Sequence, residues 1–147
     1  MFKRFSFWLW LTAILQLLTA AVHCISFFVD EKPANDTEKQ LQELTTTYRR
    51  DLGAGFRPSM MELFTALSAC LPLLCVLAGV VNIYLWKKQV AMPVMKGVMG
   101  INAIIFAIAF IIMIFFAFLP PVICMGLIFV CSTSAWFTAK RIRPAEL

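Results

Sequence analysis

The chain has 147 residues, of which 61% are hydrophobic and only 14% are charged, and its mean hydropathy is +0.84. A soluble domain of this size has too little interior to bury so many apolar side chains, so the composition excludes an ordinary soluble protein. At about 20 apolar residues per crossing, the length accommodates four membrane spans in one domain. The formal net charge of +5 does not indicate nucleic-acid binding, because no base-reading or base-stacking groups accompany the basic residues.

Four apolar stretches, in which Glu62 is the one charged residue, have the length of a transmembrane helix. We expect helices because an open strand edge cannot satisfy its backbone groups in lipid. The connections that follow the second and the third of these stretches are short, which makes neighbouring helices antiparallel. The sequence therefore predicts an all-α integral membrane protein, a four-helix bundle with up-down-up-down topology in a single transmembrane domain over residues 1–147. The predicted spans are Phe5–Val29, Met60–Trp86, Gly97–Leu119 and Pro121–Ala139, and an outer loop covers residues 30–59.

The first span has the basic start of a signal peptide at Lys3 and Arg4. Its apolar run continues to Val29, however, well beyond the usual h-region of about 7 to 15 residues, so we expect it to be retained as a span.

The basic residues predict the orientation of these spans. With four crossings, one side holds only Glu146 as an acidic residue, and the basic residues of the opposite side are offset by nearby carboxylates. The excess of Lys and Arg predicts a multi-pass protein with both termini in the cytoplasm. The basic residues on the predicted cytoplasmic side are Lys3, Arg4, Lys87, Lys88, Lys96, Lys140, Arg141 and Arg143.

The outer loop contains one amphipathic segment. Thr37 and Gln40 have the spacing of a capping box, which marks the start of a helix. Apolar residues then recur at helical spacing, and Gly53 and Gly55 mark the end. We expect a helix over residues 37–52 that lies against the membrane surface or over the mouth of the bundle. Its apolar residues are Leu41, Leu44, Tyr48 and Leu52.

The first span carries a polar stripe that predicts a protein-facing or wet surface, because polar residues inside a span rarely face lipid. The stripe consists of Thr12, Gln16, Thr19, His23 and Ser26. In the second span, Glu62 and Thr65 enter from the same side of the membrane as His23. A contact between His23 and Glu62 is therefore geometrically possible, and it would form a proton-exchanging pair.

Other interpretations of these polar residues concern structure rather than chemistry. Ser59 and Glu62 after Pro58 have the spacing of a capping box, and His23 can form a hydrogen bond between helices. Asn82 and Asn102 are expected at similar depth, where they can pair as a clamp between helices. Pro72 is expected to kink the second span and to free the carbonyl of Ser68, which creates a local polar spot.

The five cysteines do not form a C-x-x-C motif. Cys24 and Cys124 are expected at similar depth near the oxidising side, so a disulfide between them stays open. One histidine with scattered thiols predicts neither a metal site nor a cofactor.

Three segments resemble a group of small four-span bacterial inner-membrane proteins for which no activity is established. The segments are LTAAVHCISFF in the first span, TYRRDLGAGFRPSMMELFTALSA before and within the second, and FAFLPPVICMGLIF at the last turn. The resemblance covers most of the chain. It implies the four-span topology and a location in the bacterial inner membrane, and it assigns no catalytic residue.

Three functions of different classes fit this sequence. The first is a membrane protein that binds a lipid, a small hydrophobic ligand or a partner subunit in an outward-facing pocket roofed by the 37–52 helix. The second is an intramembrane lipid-modifying enzyme with His23 and Glu62 as catalytic candidates, which requires the two to be within hydrogen-bond reach and Glu62 to be free of its cap. The third is a subunit of a transporter or channel assembly.

We favour binding, with a membrane lipid, a second copy or another membrane subunit as the partner. The position of Glu62 discriminates between the first two functions: a carboxylate on the Ser59 amide favours binding, and one near His23 favours catalysis. The predicted ligand-binding residues are His23, Ser26, Glu62 and Thr65, with Arg50, Asp51 and Arg57 as rim charges for an anionic headgroup.

Overall fold

A computed structural model describes residues 2–29 and 32–139, and most of these residues are helical. Four of the helices are long and apolar enough to cross a membrane, whereas the second is short and polar on average. This confirms the all-α class, the four spans and the short helix between the first two of them, and identifies a multi-pass integral membrane protein. The helices are α1 (Phe2–Ser26), α2 (Asp36–Thr47), α3 (Met60–Lys87), α4 (Met92–Phe116) and α5 (Leu119–Thr138).

Three of the spans begin earlier than the apolar runs predict, the first of them at Phe2 rather than at Phe5. Helix α4 starts at Met92 rather than at Gly97, with Pro93 in its first turn, and therefore includes Lys96. Helix α5 starts at Leu119 and has a proline in its first turn. A proline is well tolerated there, because the first backbone N–H groups of a helix have no partner within it. Pro93 and Pro120, which we expected in the connections between spans, thus lie in the first turns of α4 and α5.

Helix α2 differs from the predicted 37–52 helix at both ends. It begins at Asp36, because Asn35 is the N-cap and accepts a hydrogen bond from the Glu38 amide at 2.9 Å. It ends at Thr47, and an isolated antiparallel bridge then joins Arg49 to Ser59. The chain reverses at residues 53–55, all of which have a positive φ. Leu52 therefore lies outside the helix, and α2 buries none of its residues.

The chain divides into two compact units, which α1 and α3 both enter. Unit 1 contains residues up to 19 and from 75 onward, and unit 2 contains residues 20–74. The core of unit 1 lies where α1 and α4 begin and where α3 and α5 end, so neighbouring spans alternate in direction there. Its buried residues are Phe5, Leu9, Met95, Met99, Ala135 and Ala139. We call this the basic end of unit 1, because Arg4, Lys87, Lys88 and Lys96 belong to it.

Close helix packing in unit 1 depends on small residues. A Cβ atom on Gly79 of α3 would lie 3.0 Å from the Cγ atom of Leu17 and 3.2 Å from the carbonyl oxygen of Ala13, both on α1. A Cβ on Gly126 of α5 would lie 3.0 Å from the ring of Phe110 on α4. Since association of helices in lipid relies on van der Waals contact, these glycines bring the backbones within the distance that packing requires.

Candidate functional site

The polar groups of unit 2 centre on His23, near the end of α1. Its half-buried ring places Nε2 at 2.8 Å from the hydroxyl and 3.2 Å from the carbonyl oxygen of Ser68 on α3. Pro72 has no N–H group to donate to this carbonyl, so the carbonyl is available to the ring. The Ser68 hydroxyl can donate to Nε2 or accept from it, whereas the carbonyl oxygen can only accept. The polar spot predicted at Ser68 is therefore occupied by His23.

Glu62 closes the start of α3. Its carboxylate accepts a hydrogen bond from the Ser59 amide at 2.7 Å, and the Ser59 hydroxyl accepts one from the Glu62 amide at 3.2 Å. This reciprocal pair confirms the predicted capping box. The guanidinium of Arg49 also donates to both carboxylate oxygens, each at 3.3 Å. Glu62 thus ties the helix start to the preceding loop.

The structure gives His23 and Glu62 separate partners. The imidazole is bonded to Ser68, and the carboxylate is bonded to Ser59 and Arg49. The two conditions for proton transfer, a mutual contact and a Glu62 free of its cap, are therefore not met in this arrangement. The position of Glu62 is the one that favours binding. The ligand-binding and catalytic assignments of both residues remain predictions.

The predicted rim charges lie on the loop between α2 and α3. Arg57 donates from Nε and Nη2 to the same carboxylate oxygen of Asp51, at 3.1 and 2.9 Å. The Arg50 amide donates to the carbonyl of Pro58 at 3.1 Å, and Arg49 donates to the carbonyl of Arg57 at 3.0 Å. Exposed ion pairs contribute little to stability. The backbone bonds therefore define this loop, and the ion pair orients its charges.

Two further predicted residues are exposed. The Ser26 hydroxyl donates to the carbonyl of His23 in its own helix at 2.7 Å, and Thr65 lies on α3 one turn before Ser68. Arg49 and Ser68 were not among the predicted site residues, although both contact residues that were. For Ser68, the signal was the proline four positions later. For Arg49, the sequence contains no comparable signal, because its partner depends on how the loop folds back.

A second polar cluster, in unit 1, is a closed ring of three amides. Gln16 donates to Asn102 at 3.0 Å, Asn102 donates to Asn82 at 3.3 Å, and Asn82 donates to Gln16 at 3.0 Å. All three side chains are buried. The predicted clamp between Asn82 and Asn102 is confirmed, with Gln16 of the α1 stripe as its unexpected third member. Every side-chain oxygen in the ring accepts an amide N–H, so the ring is a structural link between three helices.

The cysteines are free, and no disulfide joins Cys24 to Cys124 in this structure. Within residues 2–29 and 32–139, no group of three or more His, Cys, Asp or Glu side chains could hold a metal ion. Comparison of the chain with known protein families, with curated proteins and with solved structures found no match.

Proposed function

We propose that the protein binds an amphiphilic membrane molecule, a lipid or another small hydrophobic compound, through the polar residues of unit 2. The observation that carries this proposal is the half-buried imidazole of His23, which is bonded to Ser68 inside a span and is only partly covered by protein. Ionisable residues within spans are rare and usually functional. A ligand in the membrane can therefore reach this ring.

The hydrogen bonds of His23 indicate what such a ligand must offer. With Nε2 bonded to Ser68, Nδ1 is the ring nitrogen left for a ligand, and its role as donor or acceptor depends on the tautomer. A hydroxyl is a complementary ligand group, because it can both donate and accept. Next to Ser68 on α3, Leu67 is 71% exposed, and the ring of Phe27 meets the imidazole edge-on at 5.2 Å. These apolar groups fit the hydrocarbon part of the same molecule.

The remaining predicted residues have supporting roles in this proposal. Ser26 and Thr65 add hydroxyl groups on the two helices that carry His23 and Ser68, and Glu62 fixes the start of α3. Arg50 and Arg57, the latter oriented by Asp51, supply positive charge for an anionic headgroup. We place the protein in a bacterial inner membrane, with both termini cytoplasmic and this loop on the opposite side, as the Lys and Arg distribution predicts.

Native mass spectrometry of protein purified in mild detergent tests this function. We expect a recurrent bound mass on the wild type that is lost in His23→Ala. Val22→Ala is the matched control, because Val22 precedes His23 on the same helix and is 58% exposed, and it should retain the mass. Retention in His23→Ala equal to that in the wild type would contradict the proposal. A stable oligomer or a bound partner subunit without any small molecule would also overturn it, in favour of assembly.

A further inference from the structure

The charge of unit 1 is one-sided. Its described residues include no aspartate or glutamate, and their basic residues lie near the basic end. All four tryptophans of the chain also belong to unit 1, at positions 8, 10, 86 and 136. Tryptophan prefers the interface between hydrocarbon and headgroups. The basic end therefore lies at the level of lipid phosphates.

Lys96 differs from the other lysines of this end. Lys87 and Lys88 are exposed, as the topology signal of a span flank requires, whereas Lys96 is half-buried. It lies four residues after Met92, the first residue of α4, which is about 6 Å along the helix. Its ammonium group sits 5.2 Å from the centre of the Trp136 ring on α5. The described part of unit 1 offers this ammonium no carboxylate.

Two glycines shape the surface around Lys96. A Cβ on Gly100 would lie 3.2 Å from Cδ1 and Nε1 of Trp136, so glycine allows the indole to lie against α4. A Cβ on Gly97 would meet nothing within 4 Å. Gly97, which is exposed and has no side chain, therefore leaves an uncovered stretch of α4 surface beside Lys96, which we call the Gly97 slot. The slot continues along an exposed apolar stripe of α4 that includes Ile101 at 59% and Ile104 at 64% exposure.

We propose that this surface binds an anionic phospholipid. The phosphate pairs with the ammonium of Lys96, which Trp136 positions, and one acyl chain lies in the Gly97 slot and along the stripe. Ile104 lies eight residues beyond Lys96, about 12 Å further into the membrane, in the direction an acyl chain takes from its headgroup. Basic pockets between helices at this depth are typical of sites for anionic headgroups.

This site and the site around His23 belong to different units, so the two proposals fail independently. The test uses the full chain in mild detergent, titrated with phosphatidylglycerol or phosphatidylcholine and observed by native mass spectrometry. The test variants are Lys96→Gln, which removes the charge, and Gly97→Leu, which fills the slot. Since no protein atom lies where the new side chain begins, Gly97→Leu should fold normally. The controls are Lys87→Gln for the charge and Ala117→Leu, at an exposed position after α4, for added bulk.

We expect the wild type and both controls to prefer phosphatidylglycerol. Lys96→Gln should bind it about fivefold more weakly, the effect of one basic residue near a lipid surface, and Gly97→Leu should also bind it more weakly. Equal binding of the two lipids by the wild type, or unchanged binding in Lys96→Gln, would overturn the proposal. Competition by millimolar inorganic phosphate, together with unchanged binding in Gly97→Leu, would assign the site to a free anion and would also overturn it.

Discussion

Units 1 and 2 use polar residues of the same two helices in opposite ways. In unit 1, Gln16 and Asn82 are fully buried, and they form a closed ring of hydrogen bonds with Asn102. In unit 2, His23 is half-buried and is bonded to Ser68 through one nitrogen only. Apolar lipid cannot form hydrogen bonds with a polar group. A cluster in which the polar groups bond to each other therefore holds helices together, whereas a residue with an unbonded polar atom offers that atom to a ligand. Whether a polar residue in a span is structural or functional therefore depends on whether any of its polar atoms has no hydrogen-bond partner in the protein.

Removing one member of the amide ring should have the largest effect. Asn82→Ala deletes two ring bonds, so the side-chain oxygen of Gln16 loses its donor in the core, whereas the bond from Gln16 to Asn102 remains. We expect a loss of about 1–3 kcal/mol in the free energy of unfolding, because buried polar groups without partners are costly. Tryptophan fluorescence during unfolding in sodium dodecyl sulfate measures it, since every tryptophan belongs to unit 1.

The control for the amide ring is Thr12→Val. Thr12 is equally buried but donates only to the carbonyl of Trp8 in its own helix. This variant should lose less stability than Asn82→Ala. Equal losses in the two variants would mean that the ring bonds between helices carry no special weight.

Substituting two glycines compares a packed helix surface, at Gly79, with an open one, at Gly97. In Gly79→Ala, the new methyl group would press on Leu17 and on the backbone of Ala13, so we expect a loss of about 1–2 kcal/mol in unfolding free energy. In Gly97→Ala, the methyl group meets no protein atom, and the better helix propensity of alanine should give a gain of up to about 1 kcal/mol. The same fluorescence titration compares them. A loss in both variants would show that Gly97 is packed.

The smallest expected effect concerns the cap of α3 in unit 2. Ser59→Ala removes the hydroxyl that accepts from the Glu62 amide, and the loss of such a cap weakens a helix start by about 1 kcal/mol. Hydrogen exchange should accelerate for amides near Ser59, with little change in tryptophan fluorescence. Ser59→Thr keeps the hydroxyl and should exchange like the wild type. Accelerated exchange throughout unit 1 would contradict the separate description of the two units.

Around His23 and Glu62, the predictions that the structure confirms depend on local signals. The capping box of Glu62 depends on residues three positions apart, and the free carbonyl of Ser68 depends on a proline four positions later; both were evident in the sequence. The bonds of Gln16 in the amide ring, and the bond from His23 to Ser68, join residues that are far apart in the chain. Depth in the membrane places such residues at similar levels, but it does not tell which faces of the helices meet.

Two predicted helix boundaries, the start of the third span and the end of the outer-loop helix, were wrong. Excluding charges from spans placed the start of the third span at Gly97, although Lys96 lies within α4, where its ammonium rests on Trp136. Helical spacing alone extended α2 to Leu52, although the chain leaves the helix after Thr47 and pairs Arg49 with Ser59. The end of α2 is thus followed by a contact between distant residues, whereas α4 begins at a local signal, Pro93 in its first turn.

The sequence by itself determined that this is a four-span helical membrane protein, because the solvent imposes helices on any apolar stretch long enough to cross it. It also determined the capping box of α3, which acts over one helical turn. Only the tertiary structure decided that Gln16 joins the asparagines, that His23 takes Ser68 rather than Glu62, and that Lys96 lies on Trp136. These pairings depend on the rotation and register of packed helices, which follow from side-chain fit across the whole interface rather than from any segment of it.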